Sequence, residues 1–123
     1  MAITDTIRVG ISTEGSNTAI DQPISKTLTI TRNNEGGPTP GVINLTTTHE
    51  LIDLTELTNK GWCYLHNLGP DTVYWGFNLV GVVKRVGEMR VDEPALFRMY
   101  KSIAAFGMYS TGTAQVEIFC WED

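Results

Sequence analysis

An all-β fold, a sandwich or a barrel, is predicted for this chain, and three observations predict it. From Leu51 to Asp123, short segments rich in Val, Ile, Tyr, Trp and Phe follow one another. Turn residues part them at roughly the eight-to-twelve-residue spacing of sandwiches. Several segments alternate apolar with polar residues at the period of a half-buried strand, and no helical pattern is interleaved with them, as a parallel α/β fold would need.

Residues 1–41 differ from the rest, being rich in Thr, Ser, Asn and Gly. Thr6-Ile7-Arg8-Val9-Gly10-Ile11 alternates as an edge strand would, and Ser25-Lys26-Thr27-Leu28-Thr29-Ile30-Thr31 sets Leu28 and Ile30 between threonines. Glu14-Gly15-Ser16-Asn17 and Asn33-Asn34-Glu35-Gly36-Gly37-Pro38-Thr39-Pro40-Gly41 read as loops, because Gly, Pro and Asn each break regular pairing for a different reason. Residues 1–41 are thus either the first strands of the sandwich with long loops, or an extended arm whose strand partners lie on a neighbouring subunit. Residues 42–123 form the sandwich core of what is one domain overall.

Between Val42 and Leu54 the apolar positions are Val42, Ile43, Leu45, Leu51, Ile52 and Leu54. Residues 49–57 are the one place where a helical turn competes, and Thr interrupts it. Strands are then expected from Trp62 to Leu68, Val73 to Phe77, near Leu79 to Val86, Glu88 to Val91, Ala95 to Tyr100, Ile103 to Tyr109, and Ala114 to Trp121. Gly69-Pro70-Asp71, Gly87-Glu88, Asp92-Glu93-Pro94 and Ser110-Thr111-Gly112 are the expected turns.

The last two strands carry apolar residues on both faces. Val116, Ile118 and Cys120 share one parity and should face the core, which sets Phe119 and Trp121 outward beside Glu117. Ile103, Ala105 and Gly107 alternate with Ala104, Phe106 and Met108. A second apolar face calls for cover by a loop, a sheet edge or another subunit. Phe106, Met108, Phe119 and Trp121 are therefore interface candidates.

With 123 residues the chain can bury roughly two-thirds of its unfolded surface in one core. A net charge of −5 argues against general nucleic-acid binding, which needs surplus Lys and Arg. Lys84, Arg85, Arg90, Arg98 and Lys101 nevertheless cluster, opposed within that stretch by Glu88, Asp92 and Glu93. They are either solvated strand faces or a mildly basic patch for an acidic partner surface, and Lys84 and Arg85 join the interface candidates on the second reading. The longest apolar run is far short of the roughly 20 residues of a membrane span, and Met1-Ala2-Ile3-Thr4-Asp5 lacks a signal-peptide pattern. A protein made in a cytoplasm, with no membrane partner, is expected.

Cys63 and Cys120 each fall in a predicted strand. Reduced, buried thiols are the ordinary reading, and a disulfide stays open if their strands are neighbours. No CxxC is present, and His49 and His66 stand at no ligand spacing, so no metal and no cofactor is expected. No nucleophile elbow, phosphate loop or calcium loop occurs, and no carboxylate pair is singled out. His66 shares strand parity with Trp62 and Tyr64 and reads as a partly buried strand residue. An enzyme is not expected. Trp62, Tyr64, Tyr74, Trp75 and Phe77 crowd together, as core and cross-strand pairs or as a sugar-stacking or protein-binding surface. Tyr74 and Trp75 have opposite parity, so one of them should face outward.

Gly61-Trp62-Cys63-Tyr64-Leu65-His66-Asn67-Leu68-Gly69, Val73-Tyr74-Trp75-Gly76, the Gly87-Glu88 turn, Ala95-Leu96-Phe97-Arg98, the Ala-rich stretch from Ile103 to Phe106 and the closing Val116-Glu117-Ile118-Phe119 with acids after it form a familiar series. Residues 51–123 resemble small virion proteins of tailed bacteriophages. The resemblance implies an antiparallel β-sandwich, jelly-roll-like, and a non-enzymatic capsid cement or decoration protein of the virion. Its implied partners are the major capsid protein and further copies of itself, as a homotrimer. Asp92-Glu93-Pro94 departs from the simpler Pro-Gly-Glu-like turn of that pattern, and roughly the first fifty residues have no counterpart in it. A tail or baseplate component and a carbohydrate-binding module using Tyr74 or Trp75 are the alternatives.

Overall fold

The computed structural model describes residues 3–11, 24–32, 39–100, 103 and 105–122. Contacts divide the chain into two compact units, residues 1–34 and 35–123. In the first, the two alternating segments pair with each other: β1 (Ile3–Ile11) and β2 (Ile24–Arg32) form a two-stranded antiparallel sheet of their own. The register sets Ile7 opposite Leu28 and Ile11 opposite Ile24, while Thr6 meets Thr29 and Thr4 meets Thr31. The expected loop at Glu14–Asn17 lies outside the described residues, as does most of the one from Asn33.

Among the described residues the second unit holds eight strands: β3 (Thr39–Leu45), β4 (Glu50–Leu51), β5 (Lys60–Pro70), β6 (Val73–Leu79), β7 (Val82–Met89), β8 (Pro94–Arg98), β9 (Phe106–Ser110) and β10 (Ala114–Glu122). They make two four-stranded antiparallel sheets, β3-β10-β5-β8 and β4-β9-β6-β7. The pairings nest, β6 with β7, β5 with β8, β4 with β9 and β3 with β10. This is one long hairpin rolled up so that β10 also meets β5 and β9 also meets β6. That winding is the jelly roll, a two-sheet sandwich of eight strands.

Strand parity builds the interior. On β10, Ala114, Val116, Ile118, Cys120 and Glu122 point inward, and on β5, Cys63, Leu65 and Asn67 do the same. They meet Val73, Met89 and Met108 from the facing sheet, with Leu45, Leu54 and Leu57 closing the core. An aromatic stack adds to it: the Trp75 and Phe97 rings lie 4.5 Å apart and nearly parallel, with Phe106 tilted against both. Such pairs are worth roughly 0.5–1.5 kcal/mol beyond the area they bury.

Several expectations are revised. The segment near Leu79–Val86 is not one strand, because Val80 and Gly81 form a two-residue hairpin turn with Leu79 opposite Val82. Both turn residues have positive φ, +55° and +79°, as a type I′ turn requires. Gly87-Glu88 is not a turn but lies inside β7, so the separate strand expected from Glu88 merges with it. Thr39–Gly41, expected in a loop, open β3, and Gly41 supplies a φ of +97° there. At 49–57, where a helical turn competes but Thr interrupts it, no helix forms. Glu50 and Leu51 pair with Met108 and Gly107, and the Asp53 carboxylate accepts hydrogen bonds from Thr55 N (3.0 Å) and Thr55 Oγ1 (2.6 Å), a local turn that competes with a helix. β9 begins at Phe106 rather than Ile103, whose N–H instead donates to Tyr100 O at 3.0 Å.

Candidate interaction surface

The residues singled out in the sequence separate into three places. Phe106 and Met108, expected on a second apolar face, are core residues, 3% and 0% exposed. The reason is parity: Phe106 and Met108, opposite Phe77 and Trp75, share the face of β9 that packs against the other sheet, while Tyr109 opposite Tyr74 faces outward. Trp75 is partly buried and packs against them, its ring stacked on Phe97.

Tyr74 and Arg85 belong to the outward side of β6 and β7, whereas Lys84, opposite Phe77, lies on the other face of that hairpin. The Tyr74 and Tyr109 rings lie 5.3 Å apart, His49 stacks on Tyr109 at 3.8 Å, and the Arg85 guanidinium sits 4.6 Å above the Tyr74 ring. Val83 N donates to His49 Nδ1 at 2.9 Å, although His49 precedes the edge strand β4 and Val83 lies in the opposite edge strand β7. The outer part of the β6–β7 hairpin therefore bends across this sheet face. The bend starts at the register shift between Trp75 and Gly76, where a Cβ on Gly76 would overlap the Lys84 carbonyl. This aromatic strip is thus largely covered by the chain's own residues. Lys84 is exposed, and Val80, Val82 and Val86 of the same hairpin form an apolar tip and edge.

Phe119 and Trp121 sit on the outward face of the other sheet, half-buried. The register runs Leu96, Tyr64 and Phe119 in one row across β8, β5 and β10, and Trp62 lies opposite Arg98 in the next. Tyr64 and Phe119 stack at 6.0 Å with planes 16° apart. Away from this patch the face turns polar: His66 Nε2 and Asp92 Oδ1 are 2.8 Å apart, and Gln115 Nε2 donates to Asn44 Oδ1 at 3.1 Å. Val42, opposite Glu117, adds an exposed apolar side chain. An aromatic centre with a polar border is the composition of a protein-binding face.

Two residues that the sequence did not single out position this face. The buried Asn67 amide donates to Asp71 O (2.9 Å) and Met89 O (3.0 Å), while its Oδ1 accepts from Gly69 N (2.8 Å). Its backbone carbonyl accepts from Asp92 N at 2.8 Å, which places Asp92 against His66. Glu93 completes that turn, its N–H donating to Arg90 O and its carboxylate accepting from Arg90 N at 2.7 Å. The inward parity of Asn67 between Leu65 and Gly69 was the available signal for a satisfied buried amide.

Elsewhere, a groove of about 360 Å³ opens at one end of the second unit between Leu51, Ile52, Leu54, Ile103 and Phe106, with Lys60 at its border. Among the described residues no three His, Cys, Asp or Glu side chains gather as metal ligands, and no helix is long and apolar enough to cross a membrane. Lys101 of the basic cluster lies outside the described residues, and Arg90 pairs loosely with Glu88 at 3.8 Å. No protein-family model, curated protein or solved structure matches the chain.

Proposed function

We propose that this protein is a non-enzymatic structural component of a tailed-phage virion, a capsid cement or decoration protein that stabilises the head by contacting the major capsid protein and further copies of itself. The observation that carries the reading is the outward row of Leu96, Tyr64 and Phe119 with Trp62 and Trp121 beside it. Aromatic side chains held on rigid strands supply large contact area at low entropic cost, and stable interfaces bury roughly 800 Å² on each partner. The jelly roll is an architecture of virus capsid and lectin domains, and that analogy supports the reading at the level of fold alone. The resemblance of residues 51–123 to small virion proteins adds the choice of partner.

The carbohydrate-binding alternative has less support, since the Trp75 ring is stacked on Phe97 and packed against the core and Tyr74 lies beneath Arg85. Co-sedimentation of the purified protein with expanded phage capsid shells tests the proposal, with immunogold labelling of virions to separate head from tail. Binding at fixed stoichiometry, lost on Phe119→Ser, is the expected result. A stable monomer that leaves capsid shells untouched would overturn it.

A further inference from the structure

We propose that Cys63 and Cys120 are a cross-strand dithiol that oxidation closes into a disulfide joining β5 to β10, the two central strands of their sheet. The two residues lie directly opposite each other in the register, both point into the core at 0% and 1% exposure, and their sulfurs stand 2.6 Å apart as free thiols. Directly opposed strand residues hold their Cβ atoms about 4.5–5.5 Å apart, adjoining the roughly 3.5–4.5 Å a disulfide needs. A register shift follows at once between Cys120 and Glu122, and a bulge there gives β10 local freedom to close the remaining gap.

The same geometry keeps the pair dormant. The Cys120 thiol beside it and burial push the Cys63 thiol far above its ordinary range, so little thiolate is present to attack. Oxidation then proceeds only when the strands open locally. With a small disulfide as oxidant, such as oxidised glutathione, one cysteine thiolate displaces a glutathione thiolate and forms a mixed disulfide. The second cysteine attacks the protein sulfur of that bond and releases the other glutathione. Two protein thiols are oxidised, one glutathione disulfide is reduced to two thiols, and the two protons from the protein thiols end on the released glutathione sulfurs. The product closes a loop between residues 57 apart in sequence, and the fold tightens on moving from a reducing to an oxidising compartment. This inference does not depend on the function proposed above.

The test is incubation of the full chain with oxidised glutathione in sub-denaturing guanidinium, followed by removal of both, alkylation in denaturant and intact-mass analysis. The expected product is an unalkylated monomer whose peptides containing Cys63 and Cys120 are joined. Its unfolding equilibrium constant should fall by roughly thirtyfold or more against the thiol form. Two alkylated cysteines, a retained glutathione adduct, a disulfide-linked dimer, or a joined monomer no more stable than the thiol form would each overturn it.

Discussion

The indole of Trp75 occupies the space that a Cβ on its cross-strand neighbour Gly87 would fill. Its Nε1 is buried against that strand without a hydrogen-bond partner, and the ring stacks on Phe97. The close approach of ring to backbone explains why a glycine sits inside β7. Gly87→Ala should displace the ring and destabilise the fold by about 1–3 kcal/mol, read as a lower urea midpoint with a loss of near-ultraviolet circular dichroism. Trp75→Phe should relieve much of that penalty, so the pair should couple in a double-mutant cycle. Additive effects would show that the two residues do not touch.

Asn67 satisfies three backbone groups, two of them buried, from two strands and the turn after its own. Asn67→Ala leaves the Gly69 N–H and the carbonyls of Asp71 and Met89 without it, and should cost about 3 kcal/mol or more. Asn67→Asp is expected to be nearly as damaging, because a carboxylate cannot donate to two carbonyls. Equilibrium unfolding of both variants checks this, and an Asn67→Asp protein as stable as the parent contradicts the assigned amide orientation.

Val80 holds φ at +55° at a fully exposed hairpin tip, a conformation that a β-branched side chain resists. Asn followed by Gly81 is the preferred pair for this turn, so Val80→Asn should stabilise the second unit by about 1 kcal/mol. If the apolar tip also seats on a partner, the same substitution should weaken capsid binding while raising the unfolding midpoint. A fall in the midpoint would mean that Val80 makes native contacts.

The sandwich was legible in the sequence wherever parity and turn chemistry agreed. Val116, Ile118 and Cys120 face inward as alternation required, and Asp92-Glu93-Pro94 falls where β7 hands over to β8. It was illegible where one signal carried two meanings. Gly87 looked like punctuation but makes room for an indole, and the turn at Val80 was hidden because its first residue is a strand former. Phe119 and Phe106 both looked like surplus apolar residues. Only the packing of one sheet on the other, which turns the Phe106 face of β9 inward and leaves the Phe119 face of β10 outward, separates core from surface.

The Cys63 thiol is held protonated in the fold by its Cys120 neighbour and by burial, whereas its ordinary value is 9.0. The raised native value means that the unfolded chain releases this proton first as pH rises. The contribution is therefore complete below pH 9.0 and is lost progressively above it. Reduced protein should lose about 1.4 kcal/mol of stability per pH unit in that range from this group. Cys63→Ala should show a shallower dependence than the parent when urea midpoints are compared across the alkaline range. Identical slopes would place the titration elsewhere, in Tyr or Lys side chains.

Ile118 and Phe119 are adjacent on β10 and face opposite ways, so the same substitution at each should damage different properties. Ile118 is fully buried beside Leu65, and Ile118→Ser should cost about 3 kcal/mol or more through a cavity and an unpaired hydroxyl. Phe119 is half-buried on the outer face and touches Tyr64. Phe119→Ser should cost the isolated protein less than Ile118→Ser, about 1–2 kcal/mol, because the ring is only partly buried and its loss opens no closed cavity. Against a partner surface the order reverses, since a central aromatic anchor contributes roughly 2 kcal/mol or more to binding. Phe119→Ser should thus still fold, with a thermal midpoint lowered by only several degrees, yet lose thirtyfold or so in affinity for its own copies or for capsid shells, read by analytical ultracentrifugation and co-sedimentation. If Phe119→Ser unfolds the protein as Ile118→Ser does, the outer ring belongs to the monomer's own packing. If it folds and binds as the parent does, the aromatic row is not the contact surface.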